Sequence, residues 1–167
     1  MKLSQALSRI APSQTTAMTD RATELRAAGR DVISLSVGEP DFDTPAHVLA
    51  AAKAALDAGE TRYTPVAGTM ALREAAALHF ARDLGIVVPP SQVIVSAGGK
   101  QAIFHALLAT LDPGDEVLIP SPWWVSYPEI VRFAGAEVVV LPTTAAGGFR
   151  ITAQQLEAAI TPRTRWL

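Results

Sequence analysis

Short apolar runs and helix-forming runs alternate along residues 92–141, and this alternation constrains the fold more than any other feature. Three of the runs have the length and β-branched character of buried strands, and the two runs between them carry apolar residues at helical spacing. Strands that alternate with helices in this way form a parallel sheet covered by the helices. The sequence therefore predicts an α/β fold with strands at 92–96, 116–120 and 137–141 and helices at 99–111 and 125–133.

A glycine pair and a lysine mark the point at which the first predicted strand turns into a helix. In Ser96-Ala-Gly-Gly-Lys100 the helix is predicted to open at about Gly99. The free backbone N–H groups of a helix start favour an anion, and glycine lets that anion approach closely. A lysine in the first turn opposes the helix dipole by roughly 0.3–1 kcal/mol, which a negative ligand would offset. An ordinary strand-to-helix turn with an exposed lysine explains the same residues equally well.

The second predicted strand ends at the segment Pro120-Ser-Pro-Trp-Trp124, as the first ends at the segment with the glycine pair. Ligands of parallel sheets bind outside the carboxyl ends of the strands, so both segments are candidate binding segments. A Walker phosphate loop is excluded, because Ile94 stands where that motif has its first glycine and Gln101 where it has serine or threonine.

The composition excludes several classes of function. The chain has 167 residues, of which 49% are hydrophobic and 18% charged, as is typical of a globular protein. A net charge of −2 without a basic run argues against a nucleic-acid partner, and no apolar stretch is long enough to span a membrane. There is no cysteine, and the three histidines lack the spacing of metal ligands. The N-terminus lacks the apolar core of a signal peptide, so a cytoplasmic protein is expected.

Residues before 92 are predicted to form helices around one strand. A polar arm leads to a helix capped by Thr19 or Asp20 and ended by Gly29, and residues 31–36 alternate like a strand. Thr44 is expected to cap a helix that runs to about residue 58. Residues 59–68 form a connector, and a further helix spans 69–84.

The last part of the chain predicts one more helix and the start of a strand. Thr152 and Gln155 have the spacing of a capping box, and Ile151 and Leu156 the spacing of a hydrophobic staple. Residues 164–167 are typical of a strand that is just beginning. A sheet that ended there would expose an unpaired apolar edge, so we expect this chain to be part of a longer protein.

Six stretches occur along the chain in a fixed order: Ser36-Val-Gly-Glu-Pro-Asp-Phe-Asp-Thr-Pro45, Tyr63-Thr-Pro-Val-Ala-Gly68, Ser96-Ala-Gly-Gly-Lys-Gln101, Asp112-Pro-Gly-Asp-Glu-Val117, Pro122-Trp-Trp-Val-Ser-Tyr-Pro-Glu129 and Ile160-Thr-Pro-Arg-Thr164. Together they resemble the class I aminotransferases of fold type I, and specifically their bacterial aspartate aminotransferase branch. The resemblance extends from about residue 12 to the end. It implies an N-terminal arm and the start of a small domain at 1–44, and at 45–167 the first, incomplete part of a large domain that is an α/β/α sandwich with a largely parallel sheet.

The resemblance implies pyridoxal 5′-phosphate as the cofactor. Gly98, Gly99 and Lys100 correspond to the cradle of its phosphate, and Trp124 to the aromatic residue that stacks on its pyridine ring. Tyr63 corresponds to a tyrosine that reaches the phosphate of the neighbouring subunit, which implies a homodimer with shared active sites. Without the resemblance, Trp124 is more typical of a core residue and Tyr63 of a turn residue.

The resemblance also implies amino acids and 2-oxo acids as substrates. Gly38 corresponds to a glycine whose backbone binds the α-carboxylate, although by itself it is more typical of a turn. Lys100, with Thr15 nearby, corresponds to a position that faces the distal carboxylate of a dicarboxylic substrate. The implied reaction is transamination of aspartate or a related amino acid.

No catalytic residue is expected within this segment. The Schiff-base lysine and the aspartate that pairs with the pyridine nitrogen lie farther along in the family, and the lysines here are Lys2, Lys53 and Lys100. We therefore expect the 167 residues alone to be inactive and the complete protein to be an aminotransferase. The alternatives are another fold type I enzyme, such as a carbon–sulfur lyase, or a non-catalytic truncated product.

Overall fold

The computed structural model describes residues 2–167, in which five α-helices precede the first strand and one further helix lies between each pair of successive strands. Residues Phe80–Leu84 form one π-helical turn and Pro90–Gln92 one 3-10 turn. The α-helices are α1 (Gln5–Ser8), α2 (Gln14–Ala27), α3 (Ala46–Asp57), α4 (Met70–His79), α5 (Gly99–Thr110), α6 (Ser126–Ala134) and α7 (Ala153–Ala159), and the strands are β1 (Glu116–Ser121), β2 (Glu137–Pro142) and β3 (Thr164–Trp166).

The three strands form one parallel sheet in the order β2-β1-β3. Strand β1 pairs with β2 over its whole length, from Glu116 opposite Glu137 to Ser121 opposite Pro142. Its pairing with β3 is shorter and contains a register shift between Glu116 and Val117. The predicted α/β fold with parallel neighbours is therefore confirmed, including the strand that begins at Thr164.

The chain divides into two compact units, one made of residues up to Gly38 together with Ile103–Leu167, the other of Glu39–Ala102. The first unit holds the sheet and its core. Leu118 on β1 and Val131 on α6 are its largest fully buried side chains. Val131 belongs to the core cluster, which contains Leu107, Leu111, Val117, Ile119, Ile130, Val131 and Ala136. The division of the chain at residue 44 stays a prediction.

A buried carboxylate helps to attach β3 to β1. Glu116 is 4% exposed, accepts a 2.5 Å hydrogen bond from the Thr161 hydroxyl and forms an ion pair with Arg163. The backbone N–H of Glu116 also donates to the Arg163 carbonyl at 2.8 Å. Because a buried charge is costly unless it is paired and hydrogen-bonded, these partners are what allow a glutamate at this position.

Two predicted strands have no ladder partner in the part of the chain that the structure describes. Residues 31–36 alternate in burial as predicted, but they form no strand. Residues 92–96 begin at the last residue of the 3-10 turn. One backbone-to-backbone hydrogen bond, from the Val95 N–H to the Ala67 carbonyl at 3.0 Å, joins these residues to a distant segment. The residue pattern of the two segments indicates an extended backbone, but a β-strand also requires hydrogen bonds to a neighbouring strand.

Helices α2 and α3 begin at other residues than predicted. Helix α2 is capped by Ser13, whose hydroxyl accepts from the Thr16 N–H, so the expected caps at Thr19 and Asp20 were wrong. Its end at Gly29 is confirmed, with φ +78°. For α3 the N-cap is Pro45 and not Thr44, and no side chain caps it.

The capping box of the last helix is confirmed. The Thr152 hydroxyl accepts from the Gln155 N–H at 3.1 Å, and the Gln155 side chain accepts from the Thr152 N–H at 2.9 Å. Gln155 also donates to the Pro142 carbonyl at 3.1 Å, which ties α7 to the end of β2. No helix within residues 2–167 is long and apolar enough to cross a membrane, and these residues include no cluster of three or more histidine, aspartate or glutamate side chains suited to a metal ion.

Gly68 packs directly on Val95, and this contact requires glycine. Its φ is +96°, and a Cβ at this position would lie 2.6 Å from Val95 Cγ2 and 2.9 Å from Val95 Cβ. The neighbouring Ala67 carbonyl accepts the hydrogen bond from Val95. The end of the 59–68 connector is thereby fixed to the segment that leads to Ser96.

We predict that Gly68→Ala destabilises the chain more than Gly59→Ala. Both glycines have positive φ, but an added Cβ at Gly59 meets nothing within 4 Å. Gly59→Ala should lose about 1–2 kcal/mol from the backbone alone, and Gly68→Ala roughly 1–3 kcal/mol more because Val95 must move. Urea unfolding of both variants measures the difference, and equal losses would show that the Val95 contact imposes no constraint.

Candidate functional site

The glycine pair lies at the start of α5, as predicted. Gly98 has φ +87° and its N–H donates to the Ser96 carbonyl at 2.8 Å, which forms the tight turn before the helix. Its own carbonyl accepts from the N–H groups of Gln101 and Ala102, and these bonds begin the helix. At Gly98 and at Gly99 an added Cβ would meet no heavy atom within 4 Å. The space that a side chain would occupy at these two positions is therefore open.

Gln101 holds this turn from the helix side. Its Oε1 accepts from the Ala97 N–H at 2.5 Å, so the side chain reaches back across the turn. Gln101 is the third residue of α5, the position from which glutamine or glutamate reaches back in a capping box. Sequence pattern alone did not reveal this role, although the position of Gln101 three residues after Gly98 is the signal that indicates it.

Arg73 holds the segment that leads into the turn. Its Nε donates to the carbonyls of Pro90 and Val93, both at 2.9 Å. Together with the bond between Val95 and Ala67, this fixes residues 90–95 to α4 and to the connector. Arg73 was also missed by the sequence analysis, and no local pattern reveals it, because its acceptors are carbonyls 17 and 20 residues away.

The predicted phosphate-contacting residues all lie in the unit Glu39–Ala102. Gly98, Gly99 and Lys100 are consecutive across the start of α5. Tyr63 lies in the connector that ends at Gly68, and its side chain is fully exposed. The connector and the segment before α5 meet at Val95, whose N–H donates to the Ala67 carbonyl and whose side chain packs on Gly68.

The two tryptophans after β1 lie in different environments. Trp123 is partly buried and packs against the core cluster, whereas Trp124 is 53% exposed. The peptide bond between Ser121 and Pro122, just before them, is cis. Trp123 is therefore part of the packed core, whereas about half of the Trp124 side chain is exposed.

Thr15 and Gly38 lie in the same compact unit as Trp124. Thr15 is half-buried in the first turn of α2, and its carbonyl accepts from the Thr19 hydroxyl at 2.9 Å. Gly38 is exposed, and an added Cβ there would meet no heavy atom within 4 Å. An apolar cavity of about 300 Å³ in this unit lies between α5, β1 and α6, and none of the predicted site residues lines it.

Curated relatives match nearly the whole chain. The aspartate/prephenate aminotransferase of Cereibacter sphaeroides is 56% identical over 164 residues, which are 98% of this chain and 41% of that protein. The aspartate/prephenate aminotransferase of Thermus thermophilus is 51% identical over 165 residues, covering 99% of this chain and 43% of that protein. The chain thus spans about two fifths of the length of these relatives.

Solved structures agree with the fold. The aspartate aminotransferase from Thermus thermophilus with maleate superimposes with a TM-score of 0.94 at 50% identity, over 99% of this chain and 43% of that one. The aspartate aminotransferase from Rhizobium meliloti gives a TM-score of 0.95 at 44% identity, over 99% and 42%. The similarity extends over this chain but over less than half of either enzyme.

A family model connects these matches to the sequence motifs. The model described as aminotransferase class I and II matches residues 30–167, which include the glycine pair, both tryptophans and all three strands. We conclude that the chain belongs to the class I and II aminotransferase family.

Proposed function

We propose that this chain is the N-terminal part of a pyridoxal-phosphate-dependent aminotransferase that acts on aspartate or a related amino acid with a 2-oxo acid acceptor. The family match and the relatives named as aspartate/prephenate aminotransferases support the reaction class. Because those relatives extend well beyond the matched region, the activity is proposed for the complete protein and not for the 167 residues alone.

The observation that carries the proposal is the open glycine start of α5. A phosphate group needs backbone N–H donors, a favourable dipole and no side chain in its way. The first turn of the 12-residue helix α5 provides the donors and the dipole, and the space beside Gly98 and Gly99 is open. The residues present therefore fit the phosphate of pyridoxal phosphate, the cofactor on which this family generally depends.

In this proposal, the Gly99 N–H binds the phosphate, and Gly98, whose own N–H donates to the Ser96 carbonyl, leaves room for it to approach. Gln101 holds the turn in shape. Pyridoxal phosphate, when bound, supplies an electron-withdrawing ring that stabilises negative charge at the α-carbon of an amino acid. Trp124 offers its half-exposed ring as a flat apolar surface for stacking. Tyr63 reaches the phosphate held by a second subunit, which makes the protein a homodimer with shared sites.

The substrate contacts are proposed from the same chain. The Gly38 backbone binds the α-carboxylate of the amino acid. The Thr15 hydroxyl and the Lys100 ammonium bind the distal carboxylate of a dicarboxylic substrate. A charge-assisted hydrogen bond of this kind contributes about 1.5–3 kcal/mol, enough to make a dicarboxylic substrate the preferred one.

The activity is tested by incubating the complete protein, loaded with pyridoxal phosphate, with aspartate and 2-oxoglutarate. We expect glutamate to form only when both substrates are present. The 167 residues alone, whose lysines are Lys2, Lys53 and Lys100, should give no turnover in the matched control. Release of a thiol, ammonia and a 2-oxo acid from a sulfur amino acid, with no acceptor present, would instead assign a carbon–sulfur lyase, and absence of any turnover would contradict the proposal.

The role of Lys100 is tested by its substitution in the complete protein. Lys100→Ala should lower kcat/KM for aspartate and glutamate by roughly ten- to a hundredfold, because one charge-assisted hydrogen bond is lost, and should spare neutral and aromatic amino acids. Lys53→Ala, which removes an exposed lysine from α3, is the control and should change neither value. Equal losses for all amino acids would assign Lys100 to the phosphate and not to the substrate.

A further inference from the structure

Three hydroxyl groups form a hydrogen-bonded chain between α2 and the segment that ends at Gly38. Ser34 Oγ lies 2.8 Å from Ser36 Oγ, and Ser36 Oγ lies 3.1 Å from Thr19 Oγ1. Thr19 in turn donates to the carbonyl of Thr15 at 2.9 Å. The three side chains are half-buried, which limits competition from water.

The direction of this chain follows from the number of protons. A hydroxyl has one proton to donate, and that of Thr19 is used on the Thr15 carbonyl. Thr19 must therefore accept from Ser36, and Ser36 must accept from Ser34. The result is a one-way series from Ser34 through Ser36 and Thr19 to Thr15, in which each bond polarises the next.

The side chains of residues 31–38 show that this segment is held by polar contacts. Val32, Ser34 and Ser36 are half-buried, while Ile33 and Leu35 are 87% and 92% exposed. The less exposed side of α2 contains Thr15, Thr19, the buried Ala22 and Leu25, which recur at helical spacing. Farther along α2, Arg26 donates from two nitrogens to the Val32 carbonyl, at 3.2 and 3.0 Å. The hydroxyl chain and Arg26 are thus the hydrogen bonds that the structure shows between α2 and this segment.

We infer that Ser36 is a positioning residue that fixes the separation between Thr15 and Gly38. This inference rests on the proposed function, in which these two residues bind the two carboxylates of one substrate. Ser36 lies two residues before Gly38 and is joined through Thr19 to the carbonyl of Thr15. The link therefore sets the spacing of the two carboxylate contacts, and with it the preference for amino acids whose carboxylates have that spacing.

The inference separates two classes of substrate. An amino acid with two carboxylates needs both contacts at a fixed spacing, whereas one with a neutral side chain uses the Gly38 contact alone. Loss of the link should therefore weaken binding of aspartate more than binding of alanine. The reacting bond is not touched by Ser36, so kcat should change little.

The experiment compares Ser36→Ala, Ser36→Thr and a control, Ser91→Ala, which removes an exposed serine from the 3-10 turn. Hydrogen exchange of residues 31–38 in the complete protein without cofactor reports on the link by itself. Steady-state kinetics of the loaded protein then report on substrate binding. If Ser36→Ala does not fold, Thr19→Val breaks the same link from the helix side.

We expect Ser36→Ala to speed exchange at residues 34–38 and to raise KM for aspartate about two- to tenfold relative to alanine, the range for one lost hydrogen bond, with kcat within about twofold. Ser36→Thr, which keeps the hydroxyl, should restore both readouts, and Ser91→Ala should alter neither.

Unchanged exchange in Ser36→Ala and in Thr19→Val would show that the hydroxyl chain does not hold residues 34–38. Faster exchange with an unchanged ratio of KM values would overturn the positioning role. A wild-type protein without transaminase activity would overturn the proposed function, while the exchange result would still decide whether the link exists.

Discussion

The pairing of β1 on both of its edges is the constraint on which the sheet-containing unit depends. Parallel bonds to β2 run along the whole of β1, and β3 pairs with its first two residues, so backbone groups of this strand can be buried. Leu118 at its middle is 1% exposed, and Val117 and Ile119 on either side of it belong to the core cluster with Val131 of α6. Because β1 is fixed along its length, the segment after its carboxyl end, which carries Trp124, has a defined starting point.

In the other unit the candidate site depends on contacts made by the backbone. Gly98 adopts a positive φ in the turn directly before α5. Gln101 holds this turn, and Arg73 holds the segment that precedes it. The close packing of Gly68 on Val95 adds a steric constraint from the connector. The proposed phosphate binding requires N–H groups that are oriented before the ligand arrives, and these contacts hold the turn in one conformation.

The sequence predicted well those features that depend on local pattern. Strands β1 and β2, helices α5 and α6 and the capping box of α7 are all present near their predicted bounds, because each has a clear period or a cap in the sequence. Among the site residues, the glycine pair lies at a helix start as predicted, and Trp124 is more exposed than Trp123. Their roles toward a cofactor stay predictions.

Features that depend on distant partners were not predictable in the same way. Residues 31–36 alternate like a strand but are held by hydroxyl groups and Arg26. The less exposed residues of α2 are Thr15, Thr19, Ala22 and Leu25, of which only Leu25 is a large apolar residue, so the apolar signal is weak. The early start of α2 was missed because Thr19 also has the chemistry of a cap, yet Ser13 caps the helix. Arg73 binds carbonyls far along the chain, and no spacing rule predicts that contact.

The most direct test is a crystal structure of the complete protein grown with pyridoxal phosphate. We predict that a phosphate oxygen lies within hydrogen-bond distance, roughly 2.7–3.2 Å, of the Gly99 backbone nitrogen. We also predict that the ring of Trp124 stacks on the pyridine ring. A phosphate bound elsewhere, with Gly98 and Gly99 making no contact to it, would contradict the proposed binding site.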